Sequence, residues 1–233
     1  RTVGTQWTFF DVFEGVNLRM TLEDVTSSSQ LKVQTIRGAG MKITIRDRIR
    51  NNPTADFLAE FVQADSGDAQ SVNFDFIFKD FDTPGGFAEQ LQLNNVDSYS
   101  KTADSNMEIS ATEMGILAQA KQGVNTHRND QRSWLVGSFL DVDSFRFTWG
   151  FDGMGNNSGS RQQRGMLFDG RAESIAEMED PVIEIAPPPA GQSGHMVPTP
   201  AAAPAIAMGL LVIIGLAIKI PPPSDDYTDP LDP

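Results

Sequence analysis

The stretch VNLRMTLE, Val16 to Glu23, sets an apolar side chain at every second position: Val16, Leu18, Met20 and Leu22 alternate with Asn17, Arg19, Thr21 and Glu23. Successive side chains of a β-strand point to opposite faces, so this is the pattern of a strand with one face buried and one wet. The same period recurs in Met41, Ile43 and Ile45, in Phe74, Phe76 and Phe78, and in Phe145, Phe147 and Trp149. Leu91 with Leu93, and Trp134, Val136 and Phe139, supply further strands. Turn chemistry lies between them: Ser27-Ser28-Ser29, Gly38-Ala39-Gly40, Asp65-Ser66-Gly67 and Pro84-Gly85-Gly86. Many short strands with one apolar face each predict a mainly β chain, an antiparallel β-sandwich of jelly-roll type over residues 1–170. Two stretches, Thr54–Val62 (TADFLAEFV) and residues 111–121, are expected as short helices.

Composition narrows the function. The 233 residues carry 18 Lys and Arg against 31 Asp and Glu, a net charge of −13, which argues against binding a nucleic-acid phosphate backbone. The absence of Cys removes disulfides, thiolate metal sites and a Cys nucleophile. Two His, His127 and His195, are a poor basis for a His zinc site or a Ser-His centre. No Gly-x-Ser-x-Gly elbow and no His-Glu-x-x-His is present, so a non-enzymatic role is expected.

Proline divides the chain. Of 14 Pro, only Pro53 and Pro84 precede residue 181. Residues 171–200 are therefore expected as an acidic and Pro-rich linker, because such chain prefers an extended polyproline conformation. Ala201 to Ile218 is an 18-residue stretch without a charged side chain. A helix needs roughly 20 apolar residues to cross a bilayer, so residues 201–220 are expected as a transmembrane helix. Pro204 fits its first turn, Lys219 reaches the interface, and Pro221-Pro222-Pro223 ends it before an acidic tail over 221–233. Ala201, Ala205 and Gly209, spaced by four, form a small-residue stripe against which another helix could pack. One Lys on the C-terminal side biases the tail inward and the large domain outward; a tail-anchored protein with a cytosolic domain is the other orientation. The start at Arg1 rather than Met fits a leader already removed or a chain shortened at its start.

The segment VPTPAAAPAIAMGLLVIIGLAI, Val197 to Ile218, resembles the C-terminal sorting segment of bacterial PEP-CTERM surface proteins. The Phe-rich strand ending in Asp80-Phe81-Asp82, the run Val142–Gly150 and the later Arg164–Gly170 are similar to parts of the sandwich often found before that segment. The resemblance covers most of residues 70–220 and implies a bacterial membrane or surface protein with a periplasmic or extracellular β head. That family follows its helix with basic residues, whereas here Lys219 leads into acidic chain. The expectation is a retained helix seated in a larger membrane assembly.

The best ligand candidates are carboxylates. Asp80 and Asp82 straddle the expected strand end, and alternate residues point the same way, so both could reach one Ca²⁺, with Glu89 or Asp97 completing its oxygen shell. The default reading is solvated turn aspartates, and Asp141 with Asp143 is a second such pair. Gly150–Gly165 lacks the Gly-Lys-Ser/Thr ending of a phosphate loop and reads as a long hairpin loop that could make contacts through Arg161 and Arg164. His127 reads as an exposed loop residue. Trp7, Trp134, Trp149 and Tyr99 are the aromatics that could stack on a sugar, with core packing the default for Trp134 and Trp149. The functional expectation is a single-pass structural or accessory subunit, contacting the lipid bilayer and other subunits of a membrane complex, respiratory and photosynthetic complexes included. The alternative is a sorted cell-surface or matrix protein binding carbohydrate or calcium.

Overall fold

The computed structural model describes residues 2–26, 28–36, 40–81, 86–121, 129–153, 160–169, 178–179 and 181–187. Residues 1–194 form one compact unit and 195–233 a second, which lies outside the described residues together with the expected helix, its stripe Ala201, Ala205 and Gly209, and the tail. Among the described residues no helix is long and apolar enough to cross a membrane.

The strands in chain order are β1 (Gln6–Phe13), β2 (Val16–Val25), β3 (Gln30–Ile36), β4 (Gly40–Arg48), β5 (Thr54–Gln63), β6 (Val72–Lys79) and β7 (Ala88–Asn94). They continue as β8 (Ser98–Thr102), β9 (Met107–Thr112), β10 (Gly115–Ala120), β11 (Leu135–Val142), β12 (Ser144–Asp152), β13 (Arg161–Asp169) and β14 (Pro181–Ile185). One sheet runs β1-β2-β5-β12-β7-β10-β9 and the other β14-β8-β11-β6-β13-β4-β3, with every neighbouring pair antiparallel. The chain is mainly β, in two antiparallel sheets stacked as a sandwich; helical turns among the described residues are two short 3-10 pieces, Ile49–Asn51 and Gln131–Ser133.

Phenylalanine joins the sheets. Phe61 of β5 meets Phe74 of β6 edge-on at 4.7 Å between ring centroids, and Phe74 stacks on Phe139 of β11 at 4.8 Å. Phe139 reaches Phe145 of β12 at 4.7 Å, and Phe147 of β12 lies between Phe57 of β5 at 5.0 Å and Phe168 of β13 at 5.2 Å. These separations fall in the range where aromatic rings attract, about 0.5–1.5 kcal/mol per pair beyond the burial of each ring. The period of two that was legible in Phe74, Phe76 and Phe78 thus aims three rings from one strand into the space between sheets. A slip of one residue would turn them to the outer face. On the outer face of the first sheet, register sets Arg19 opposite Glu60, joined by two hydrogen bonds of 3.1 Å.

The stretch TADFLAEFV is a strand, β5, and not a helix. Ala55, Phe57, Ala59 and Phe61 are buried between the sheets and pair with β2 and β12 on either side, so two ladders override the helix-like spacing of Phe57, Leu58, Phe61 and Val62. Residues 111–121 likewise divide into the end of β9 and the whole of β10. The hairpin between them turns at Glu113-Met114, and Gly115 opens β10 with φ +155°, where a Cβ would come within 2.2 Å of the Leu93 carbonyl oxygen.

The region expected as linker also contributes structure. Met178 packs with Ile77, Trp134 and Val136 on the outer side of the second sheet, where the Lys79 ammonium sits 4.0 Å from the centre of the Trp134 ring. The Glu179 N–H donates to Gln131 Oε1 at 2.7 Å. Pro181–Ile185 then pairs antiparallel with β8 as an edge strand. Proline is tolerated there as the first residue of an edge, where no ladder hydrogen bond is lost inside the sheet.

Truncating one linking ring tests the aromatic core. Phe147→Ala is expected to lower stability by about 3–5 kcal/mol, read from the urea midpoint, because a large buried side chain is lost and a cavity remains. Phe10→Ala, on the exposed side of β1, is expected to change it by no more than about 0.5 kcal/mol.

Candidate functional site

The carboxylates singled out by sequence take different places. Asp80 follows β6 directly and holds a left-handed backbone, φ +82°, ahead of the fully buried Phe81. Asp82 and His127 lie outside the described residues. Glu89 sits on β7 with 2% of its surface exposed, opposite Phe151 of β12, on the strand face shared with Leu91 and Leu93. Asp97 serves as a brace: its Oδ2 accepts the Leu140 N–H at 2.8 Å, and its carbonyl accepts the Ala186 N–H at 3.0 Å. Among the described residues no three His, Asp or Glu side chains gather in a group able to hold a metal ion.

Asp141 and Asp143 fasten the crossing from β11, in the second sheet, to β12, in the first. Asp141 stands at a bulge with φ +53°; its Oδ1 accepts the Ser71 hydroxyl at 2.7 Å and its N–H donates to Asn73 Oδ1 at 2.6 Å. The Asp143 carboxylate accepts the Ser144 hydroxyl at 2.9 Å, and its carbonyl accepts the Phe61 N–H at 2.7 Å. Their sequence spacing reflects a sheet-to-sheet corner.

The aromatic candidates are largely committed to packing. Trp149 is fully buried between the sheets, and Trp134 is buried in the outer cluster under Met178 rather than in the inter-sheet core. Trp7 packs on Phe57 at 6.3 Å and is half-buried. The stretch Gly150–Gly165 is not a hairpin loop: Gly150–Asp152 ends β12 and Arg161–Gly165 opens β13, which lies in the other sheet. On β13 Arg161 is exposed, while the Arg164 guanidinium lies 4.7 Å from the centre of the Phe87 ring. Residues 154–159 of that stretch lie outside the described residues.

Two polar networks were not anticipated. Asp47 of β4 is 2% exposed, and its carboxylate accepts Ser28 and Ser29 hydroxyls at 2.6 and 2.7 Å, the Arg48 N–H at 2.6 Å and the Asn51 amide at 2.8 Å. Burial pushes this carboxyl upward, but the four donors together hold it below its ordinary value of 3.8. The serine run was legible as a turn; its partner, eighteen residues on, was not. In the second network the Tyr99 hydroxyl of β8 donates to Glu184 of β14 at 2.6 Å, and the Lys101 ammonium lies 3.2 Å from the same carboxylate. Burial, then the hydrogen bond to Glu184 and its charge, push the Tyr99 phenol up to about 12. Tyr99 and Lys101 hold Glu184 below its ordinary range.

On the outer face of the first sheet Asp56 is raised. Partial burial is the main cause, opposed by the Thr148 hydroxyl and reinforced by Asp24 and Glu23. Asp24 stands directly opposite it on β2. Thr102 Oγ1 and both polar atoms of the Asn106 side chain are buried without a hydrogen-bond partner, beside the Gln131–Ser133 turn whose Arg132 carbonyl accepts the Asn106 N–H.

No family model matches the chain, and no curated protein matches it either.

Two titrations test these networks. The folded Asp47 pKa lies below the unfolded one, so its contribution is complete above the unfolded value and is lost as pH falls through the folded value. Between about pH 5 and about pH 2 the urea midpoint is expected to fall less steeply for Asp47→Asn than for the wild type. For Tyr99, Tyr227→Phe leaves a single phenol, and its absorbance titration is expected near 12. Glu184→Gln should bring it back toward 10, since the charge that opposes phenolate formation is gone. The neutral phenol is favoured in the fold, by burial first and by Glu184 second, so the stability it contributes is full below pH 10 and is lost as pH rises through about 12.

Proposed function

We propose that this chain is a non-enzymatic, single-pass membrane-anchored accessory subunit whose β head, on the periplasmic or extracellular side of a bacterial membrane, bridges or stabilises other subunits of a membrane complex. The observation that carries the reading is the charge-free stretch Ala201–Ile218, bounded by proline-rich chain on both sides and following a head that closes its own core within residues 1–194. Lys219 favours an inward tail. The small residues Ala201, Ala205 and Gly209 provide a stripe for a neighbouring helix. Energy-transducing complexes, respiratory or photosynthetic, are one setting for such a subunit. The carboxylates and aromatics of the head that are engaged in braces and packing, Asp97, Asp141, Trp134 and Trp149 among them, support a scaffold role.

The head reads in finer terms as a jelly roll. The order β5-β12-β7-β10 in one sheet, with β6-β11-β8 in the other, supports this: the chain changes sheet from β5 to β6, from β7 to β8 and from β11 to β12.

A second reading draws on the Val197–Ile218 segment, which resembles the PEP-CTERM sorting segment. In it the chain is a sorted surface or matrix protein whose head takes carbohydrate, or Ca²⁺ at Asp80 and Asp82. The left-handed backbone at Asp80 supports a specialised turn at that strand end.

Purification from its native membrane in mild detergent decides between them. The first reading expects an intact C-terminus by mass and different protein chains present at fixed stoichiometry. A mature C-terminus before Ala201, or a chain free of any other protein species, overturns it. Calorimetric Ca²⁺ binding abolished by Asp80→Asn and Asp82→Asn would support the second.

A further inference from the structure

Each sheet ends in two edge strands, and an edge exposes backbone donors and acceptors that can pair with another strand. Three of the four edges are guarded. β1 is broken by a bulge between Phe9 and Phe13, with Asp11 at φ +51°. β3 carries the exposed Lys32, and β9 the exposed Glu108. β14 differs. Its sequence is Pro-Val-Ile-Glu-Ile, with Ile183 71% and Ile185 85% exposed. Its single charge, Glu184, is compensated in place by the Lys101 ammonium at 3.2 Å and accepts the Tyr99 hydroxyl.

The ladder shows which backbone groups are open. The Ala186 N–H donates to the Asp97 carbonyl at 3.0 Å, so Ala186, Glu184 and Val182 turn their hydrogen-bonding groups toward β8. By alternation Ile183 and Ile185 turn theirs to the other side, where the described residues supply no strand. An antiparallel strand is its own complement under a two-fold axis.

We propose that β14 pairs with β14 of a second copy of this chain, antiparallel and centred on Ile183, to join the two sheets edge to edge. In this register the Ile183 residues exchange both backbone hydrogen bonds, and each Ile185 N–H donates to the Pro181 carbonyl of the other copy. The missing Pro181 N–H removes only the reciprocal bond. Pro181, Ile183 and Ile185, on one face of the strand, meet their copies as a continuous apolar strip. A register centred on Glu184 would set two carboxylates directly opposite, which is unfavourable. The charge-compensated edge lets two acidic chains approach at this point. The pairing rests on the head alone and stands whether or not residues 201–218 enter a bilayer.

The Cys-free chain allows a direct test with the full-length protein in detergent. Opposed residues of a hydrogen-bonded antiparallel pair have Cα atoms about 5.5 Å apart, inside the range a disulfide can span. Under mild oxidation Ile183→Cys is expected to give a covalent dimer. Ile185→Cys, whose thiols would stand about 14 Å apart along the strands, should give at least roughly tenfold less. Ile183→Pro removes an N–H that faces away from β8, so it should weaken dimerisation by at least about tenfold in sedimentation equilibrium while leaving the far-ultraviolet circular dichroism unchanged. A wild-type chain monomeric at all concentrations overturns the proposal. So does equal cross-linking at 183 and 185, or a dimer that survives Ile183→Pro, which would place association elsewhere, as in the apolar stretch. A homodimer without other protein species would support this inference while overturning the accessory-subunit reading.

Discussion

Contact between phenylalanine rings across the sandwich is the constraint on which the rest of the structure depends. Phe74 touches Phe61 and Phe145 of the opposite sheet as well as Phe139 of its own. Rings of this size fill the space between sheets in one register, because a shift of one residue would turn them toward water. The polar networks are arranged around that fixed register. The Asp47 cage ties the Ser28-Ser29 turn to β4, and the Asp141 bulge ties the end of β11 to the chain entering β6. Both stand where the chain passes from one sheet to the other, and there backbone groups cannot be satisfied by a regular ladder.

How much was legible follows from what each residue depends on. Val16 to Leu22 and Phe74 to Phe78 announce strands because one face is apolar and the other is mostly wet. The stretch at Thr54 hid its nature because Leu58 and Val62 add apolar side chains out of phase with Phe57 and Phe61. Only pairing with β2 and β12, whose sequences lie far away, resolves it. β14 was obscured by proline: Pro181 resembles its neighbours in the linker, and the partners Tyr99 and Lys101 are some eighty residues earlier.

The candidate site was less legible still. Spacing of two residues marks Asp141 and Asp143 as readily as it marks Asp80 and Asp82, yet the first pair is a corner brace, with hydroxyls and backbone amides as partners. A carboxylate's neighbours in space decide whether it binds, braces or titrates, and those come from other strands. Trp134 makes the same point for aromatics. Its position beside a strand predicted burial, but the surface that buries it is Met178, with Lys79 over its ring.

The attachment of β14 to β8 also sets how the head bears force. Chain leaves the described head at the Ile185 end of a strand that runs antiparallel to β8, with Ile185 beside Ser98 and Pro181 beside Thr102. A tug along the strand axis loads all five residue pairs at once, in shear. A tug at right angles opens them one at a time, beginning at the Ala186 N–H bond to Asp97, and the same few hydrogen bonds then yield at a far smaller load. The head is therefore mechanically anisotropic, and the direction of tension on the chain that follows Pro187 determines whether the sheet edge holds or unzips.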